Sequence, residues 1–239
     1  MDMKKTFIAV VTAVVVGFIS AVGLCVRTLA APKTVGAFSA QELCVVLDAG
    51  HGGVDGGVVG RKTGLKESDV NISIVYRLKE ALEEVGFAVT LTRKTEAGLY
   101  DAATKGFKKR DMQKRKEIIA ETDPALVISI HQNFYPLKST RGAQVFYRKA
   151  DEGSQRLASC MQAKLNALYI GVGAKKRVEM AGEFFILQCS PCPSVIVECG
   201  FLSNEKDEEL LGDEGWKTQL SQSIAGGVLA YFNEIGGLA

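Results

Sequence analysis

The chain has 239 residues, of which 47% are hydrophobic and 23% are charged. This is the composition of an ordinary globular protein, and it excludes a disordered, collagen-like or multi-span membrane protein. The formal charge is +2, and residues 31–239 hold 26 basic and 26 acidic side chains. Because this body is neutral overall, no electrostatic signature of a nucleic-acid-binding protein is present, and we expect no nucleic-acid partner.

The N-terminal segment, residues 1–31, has the pattern of an export signal. Two lysines precede an uncharged, apolar stretch at residues 7–25. Its length lies between that of a signal peptide and that of a bilayer-spanning helix, so cleavage after Ala30 or Ala31 and retention as a membrane anchor both stay open. In either case we expect an extracytoplasmic protein that meets the membrane only through this segment, with residues 32–42 as a linker.

The body begins with a strand, a glycine-rich loop and a helix. Residues 44–47 form a short apolar run that predicts a buried strand ending at Asp48. A helix is predicted over residues 68–85, where apolar residues recur every three or four positions. Ser68 is its expected N-cap and Gly86 its expected stop.

The same alternation continues to the C-terminus. Further strands are predicted at 87–92, 126–130, 143–147, 184–187 and 194–197, and further helices at 110–121, 154–168 and 216–233. Strands that alternate with helices indicate a largely parallel sheet between two helix layers. The sequence therefore predicts a single α/β domain over residues 43–239.

The body contains two histidines, and each directly follows or closely trails a predicted strand. His51 lies in the segment Asp-Ala-Gly-His-Gly-Gly after the first strand, and His131 follows the strand at 126–130. Open α/β sheets place their functional sites at the carboxyl ends of parallel strands. Glu198 also follows a buried strand, and Glu67 lies at the entry of the first helix. We therefore expect these four side chains to meet at one edge of the sheet.

These residue types point to a catalytic metal. Two neutral imidazoles and one carboxylate bind a divalent transition metal and leave a position open for water, whose pKa the ion lowers. Glu198 fits the role of the proton-transferring group, since an ionised carboxylate on a buried strand is costly without a partner or a reacting group. Asp55 and Asp69 remain rivals of Glu67 as the third ligand. Iron oxygenases share this donor set but usually have an all-β fold.

Two further features have simpler interpretations. Cys189 and Cys192 form a Cys-Ser-Pro-Cys pair, but the neighbouring prolines lead into an apolar run, which favours a stiff turn with partly buried thiols over a redox motif. Seven basic residues lie between positions 105 and 116. Such residues are typical of a solvated helix face. The alternative is that their positive charge attracts an anionic glycan or a protein partner.

Four segments, in order along the chain, resemble the motifs of a known family. They are Val-Val-Leu-Asp-Ala-Gly-His-Gly-Gly, Lys66-Glu67-Ser-Asp-Val-Asn, Ile-Ser-Ile-His-Gln-Asn and Val-Glu198-Cys-Gly-Phe-Leu-Ser-Asn. Together they resemble the zinc-dependent N-acetylmuramoyl-L-alanine amidases of type 3. Ala49 stands where proline is common in that family and Gln132 where a small residue is common, but neither change removes a candidate ligand.

The resemblance implies both a fold and an activity. The implied fold is a mixed, mostly parallel sheet flanked by helices on both faces. The implied activity is hydrolysis of the amide bond between N-acetylmuramic acid and the L-alanine of the stem peptide, with peptidoglycan as the binding partner. It also implies Zn²⁺ as the cofactor, His51, Glu67 and His131 as its ligands, and Glu198 as the catalytic acid and base.

Among these amidases, the linking segments look most similar to the sporulation or germination-specific enzymes. Those enzymes strip stem peptides so that muramic-δ-lactam forms in the spore cortex, and this implies action in the cell wall around the forespore, with an accessory protein partner as a further expectation. Two alternatives stay open. One is a non-catalytic peptidoglycan-binding or regulatory protein that keeps the fold, and the other is a zinc enzyme that cuts a different peptidoglycan bond.

Overall fold

A computed structural model of the chain describes residues 43–236, which lie in one compact unit. The expected signal or anchor at residues 1–31 and the expected linker at 32–42 lie outside the described residues. Within residues 43–236, no helix combines the length and the apolar character that crossing a bilayer requires.

Six strands form one sheet in the order β2-β1-β3-β6-β4-β5. All neighbouring strands run parallel except β4 and β6, which are antiparallel. The predicted mixed, mostly parallel sheet is therefore confirmed. The strands are β1 (Cys44–Ala49), β2 (Ala88–Leu91), β3 (Leu126–Asn133), β4 (Gln144–Arg148), β5 (Met180–Gly182) and β6 (Ser194–Phe201).

Helices cover both faces of this sheet. They are α1 (Glu67–Glu84), α2 (Phe107–Thr122), α3 (Glu152–Ile170), α4 (Glu205–Gly212) and α5 (Glu214–Glu234), with a short 3₁₀ helix at Ile186–Gln188. Helices α1 and α3 both pack against α5 on one face, whereas α2 and the 3₁₀ helix lie together on the other. The expected α/β architecture with two helix layers is confirmed, and α4 is the one described α-helix that the sequence pattern did not predict.

The pleat of the central strands separates core residues from polar ones. Successive residues of a strand point to opposite faces, so Ser129 and His131 of β3 share a face. Asp48 of β1 lies beside Ser129, and Glu198 of β6 lies beside His131. All four thus point to the α2 side. Deeper on the same face is a small apolar cluster that includes Val46, Val127, Ile196, Ile119 of α2 and Ile186 of the 3₁₀ helix.

The strand predicted at 184–187 is wrong. The fifth strand comes earlier, at Met180–Gly182, and Ile186–Gln188 is a 3₁₀ helix. The run of four apolar residues suggested a buried strand, but Phe184 and Phe185 are 41% and 50% exposed while the next two side chains are buried. A single turn of helix can bury two consecutive side chains after exposing two, whereas a strand alternates.

Helix α1 begins one residue earlier than predicted, and the proposed cap is also wrong. Its N-cap is Lys66, which makes no side-chain capping bond. The preceding loop satisfies the free N–H groups instead, because Glu67 N donates to Val58 O at 2.9 Å and Ser68 N donates to Gly56 O at 3.1 Å. These hydrogen bonds to the loop fix the position of Glu67 as the first residue of α1.

The Cys-Ser-Pro-Cys segment lies in an irregular connection between the 3₁₀ helix and β6. Cys189 is buried, Cys192 is partly buried, and both are free thiols. Burial raises the pKa of Cys189 to about 11 and also raises the pKa of Cys192. Because reactive cysteines have lowered pKa values, these features agree with a structural turn.

Candidate active site

His51 lies on a tight loop that follows β1. Its φ is +62°, a left-handed conformation that is uncommon for a residue with a side chain. Two buried arginines hold the carbonyl groups of this loop: Arg115 Nη2 donates to His51 O at 2.6 Å, and Arg93 Nη2 donates to Gly50 O at 3.2 Å. A Cβ atom on Gly50 would lie 2.3 Å from the His131 ring, so glycine at this position allows the two histidines to approach.

The three candidate metal ligands meet at one point. Glu67 Oε1 lies 3.2 Å from His51 Nε2 and 2.9 Å from His131 Nδ1. The three potential ligand atoms all lie within 4.8 Å of one another, and the planes of the two imidazole rings are inclined at 75°. Among residues 43–236, no other group of three histidine, cysteine or acidic residues is arranged to hold a metal ion.

Glu67 is oriented by backbone donors on both of its oxygens. Gln132 N donates to Oε1 at 3.0 Å, and Val58 N donates to Oε2 at 2.9 Å. Burial alone would raise its pKa, but hydrogen bonds and charge interactions with His131 and His51 hold the pKa of Glu67 well below its usual range. The carboxylate is therefore fixed in its ionised form and in one orientation.

Asp55 and Asp69, the other candidates for the third ligand, do not belong to the ligand group. Asp55 Oδ2 lies 3.1 Å from Nδ1 of His51, the ring nitrogen that faces away from Glu67, and Asp55 Oδ1 lies 3.2 Å from Lys108 Nζ. Burial opposes a charge on His51, but the carboxylates of Glu67 and Asp55 together raise its pKa. Asp69 accepts a hydrogen bond from the Ser68 hydroxyl and is outside the ligand group. Asp55 thus supports a histidine, as carboxylates behind metal-binding imidazoles do.

Glu198 lies beside the ligand group on the neighbouring strand, in register with His131. Its Oε2 is buried and has no hydrogen-bond partner in the part of the chain that the structure describes. Burial raises the pKa of Glu198 to about 7, opposed by His131 and reinforced by the negative charge of Glu67. A carboxyl group with a pKa near neutrality can both accept and donate a proton under physiological conditions.

A cleft of about 300 Å³ opens above these residues. The edge of the sheet forms its floor, and α2 and the connection before the 3₁₀ helix line its sides. The lining residues from the floor include His51, His131 and Glu198. Those from the sides include Lys108, Met112, Tyr100, Phe184, Phe185 and Ile186.

Sequence reasoning missed the charged network beneath the loop. Arg115 is 1% exposed, and it donates to Asp48, to Asp111 and to the backbone carbonyls of Ala49 and His51. Its place in a run of seven basic residues concealed this role. The available signal was the spacing of Asp111 and Arg115, which places an ion pair on one side of a helix.

Fold and site together define an α/β hydrolytic domain with a candidate metal centre at the carboxyl edge of its sheet. The chain belongs to the N-acetylmuramoyl-L-alanine amidase family, whose model matches residues 45–230. Its activity is the hydrolysis of the amide bond that joins N-acetylmuramic acid to L-alanine in peptidoglycan. The family resemblance seen in the four motifs is therefore confirmed.

Individual relatives each match about four fifths of the chain. The germination-specific N-acetylmuramoyl-L-alanine amidase of Bacillus subtilis (strain 168) is 35% identical over 196 residues, which are 80% of this chain and 81% of that protein. The CwlD amidase of Clostridioides difficile, solved in complex with the GerS lipoprotein, is 33% identical with a TM-score of 0.76, over 80% of this chain and 99% of that one. The catalytic domain of CwlV from Bacillus (Paenibacillus) polymyxa has a TM-score of 0.69 at 26% identity, over 80% and 98%.

Proposed function

We propose that this amidase uses Zn²⁺ held by His51, Glu67 and His131. The donor set supports the proposal, because two imidazoles and one carboxylate are a common ligand set of catalytic zinc. The geometry supports it as well, since one carboxylate oxygen faces a nitrogen of each ring and Asp55 holds the outer nitrogen of His51. A bound Zn²⁺ ion would lower the pKa of water and polarise the carbonyl of the scissile amide.

In this proposal Glu198 transfers the proton. Its unpartnered oxygen accepts a proton from the attacking water, and the resulting carboxylic acid then donates that proton to the nitrogen of the leaving L-alanine. In the metal-free protein the pKa of Glu198 is about 7, so both protonation states of this carboxyl group are accessible near neutral pH. Glu67 and the backbone donors on it keep the floor of the cleft rigid during both transfers.

We also propose a place of action. The similarity to the germination-specific amidase of Bacillus subtilis supports a role in maturation of the spore cortex. The export pattern of residues 1–31 supports action outside the cytoplasm. The structural similarity to an amidase solved with a lipoprotein supports an accessory protein partner for this chain too.

The observation that carries the proposed mechanism is the buried, unpartnered oxygen of Glu198 beside the ligand group. Glu198→Ala is expected to keep bound zinc and to lower the rate of muropeptide hydrolysis by about 10²–10⁴-fold, since the proton-transfer group is removed. Zinc content by elemental analysis and mass spectrometry of digested muropeptides measure the two effects. The matched control is Glu121→Ala, which changes an exposed glutamate at the end of α2.

The outcomes separate the alternatives. Normal turnover by Glu198→Ala would contradict its role, and wild-type activity that survives complete removal of metal would contradict the zinc proposal. A non-catalytic binding protein would release nothing from peptidoglycan. A zinc enzyme with another specificity would release products other than intact stem peptides with a free L-alanine amine.

A further inference from the structure

The two walls of the cleft differ in charge. On one side lie the rings of Tyr100 and Phe107 together with Lys108 of α2, which is exposed and lies 3.2 Å from Asp55. On the other side lie Phe184, Phe185 and Ile186, all apolar. Phe184 and Phe185 are 41% and 50% exposed, although aromatic side chains of this size favour burial. Exposed aromatic rings that line a catalytic cleft indicate a ligand-binding surface rather than core packing.

The fold holds the ring of Phe184 and the backbone segment that carries both rings. Phe184 meets the ring of Phe146 of β4 edge to face, with centroids 5.4 Å apart. A Cβ atom on Gly182 would lie 2.4 Å from the Phe184 ring, so glycine at this position makes room for the ring. Directly after Phe185, the side chains of Ile186 and Leu187 are buried in the apolar cluster beneath α2. The segment that carries the two rings is thus anchored on both sides. The aromatic surface is therefore preorganised, and binding a ligand costs little conformational entropy.

The substrate of the amidase reaction also has two unlike parts. The muramic acid ring presents a face of C–H groups that can pack on an aromatic ring, while the stem peptide carries carboxylates. A carboxylate placed against Phe184 and Phe185 would lose water without gaining a partner, which is unfavourable. We propose that Phe184 and Phe185 bind the muramic acid ring, so that the stem peptide extends toward α2 and Lys108.

This inference rests on the amidase activity, and the test compares two substrates that share the scissile amide. One is an N-acetylmuramoyl peptide, and the other is the corresponding D-lactoyl peptide, which lacks the sugar. Phe184→Ala and Phe185→Ala are each expected to raise KM for the muramoyl peptide about tenfold, the size of a typical aromatic contact, and to leave KM for the lactoyl peptide unchanged. Tyr135→Ala is the control, since Tyr135 is 53% exposed but does not line the cleft.

Binding provides a second measurement that needs no turnover. In a Glu198→Gln background, Phe185→Ala is expected to weaken binding of the muramoyl peptide about tenfold by calorimetry, whereas Phe185→Tyr retains a ring and is expected to restore it. Equal effects on both substrates, or no effect in either measurement, would overturn the sugar-binding role. Failure of the wild-type protein to cleave either substrate would instead contradict the amidase function, and the binding comparison would still decide the role of the rings.

Discussion

Two carboxyl groups on the same face of the sheet, Asp48 of β1 and Glu198 of β6, have opposite surroundings. Asp48 accepts hydrogen bonds from the hydroxyls of Thr92 and Ser129, each at 2.6 Å, and forms an ion pair with Arg115. Burial alone would raise its pKa, but the guanidinium and the two hydroxyls lower the pKa of Asp48 to about 2. It is therefore a structural group that is fully charged at neutral pH.

Glu198 lies two strands away and is left without such partners. Within residues 43–236, no hydroxyl or guanidinium reaches its inner oxygen, and its pKa rises to about 7. Both groups end up among the residues that line the same cleft. A buried carboxylate on a strand is therefore not by itself a sign of catalysis. The number of donors around it distinguishes a structural charge from a group that is free to exchange a proton.

The largest expected difference in stability comes from breaking the ion pair of Asp48. Asp48→Ala leaves Arg115 buried without its carboxylate, so the free energy of unfolding is expected to fall by about 3–5 kcal/mol. Urea denaturation followed by circular dichroism measures the change, with Asp101→Ala at an exposed site as the control. A loss below about 1 kcal/mol would show that Asp48 is as dispensable as a surface carboxylate.

A smaller loss of stability is expected on acidification. The pKa of Asp48 is lowered from 3.8 to about 2 in the folded protein, so its charge stabilises the fold fully above about pH 4 and this stabilisation is lost as the pH falls toward 2. The contribution is about 2 kcal/mol, since one pKa unit corresponds to about 1.4 kcal/mol. In urea titrations at several pH values, the free energy of unfolding should decline less between pH 4 and pH 2 for Asp48→Asn than for the wild type. Parallel curves for the two proteins would contradict the assignment.

The smallest effect on stability is expected at Glu198. Glu198→Gln removes the charge of a group whose buried oxygen accepts no hydrogen bond from the described residues, so the free energy of unfolding is expected to stay the same or to rise by up to about 1 kcal/mol. Thermal unfolding of metal-free wild type and variant provides the comparison. A loss of more than about 2 kcal/mol would mean that Glu198 has a stabilising partner, and the contrast with Asp48 would disappear.

Local sequence patterns were enough to predict the alternation of strands and helices and the edge of the sheet where His51, His131 and Glu198 lie. These are consequences of local periodicity and of the rule that parallel strands end together. Some details escaped it even so. His131 and Glu198 lie within β3 and β6 rather than after them, because both strands continue beyond their apolar runs.

Which charged groups meet depends on how distant segments of the chain are arranged in the folded protein. Arg115 pairs with Asp48 across 67 positions of the chain, and Glu67 rather than Asp55 or Asp69 turns an oxygen to both imidazoles. The same arrangement leaves Phe184 partly exposed in the cleft. Apolar periodicity reports which side of an element is buried, but the partner of a charge and the exposure of a ring depend on residues far away along the chain, which no local pattern encodes.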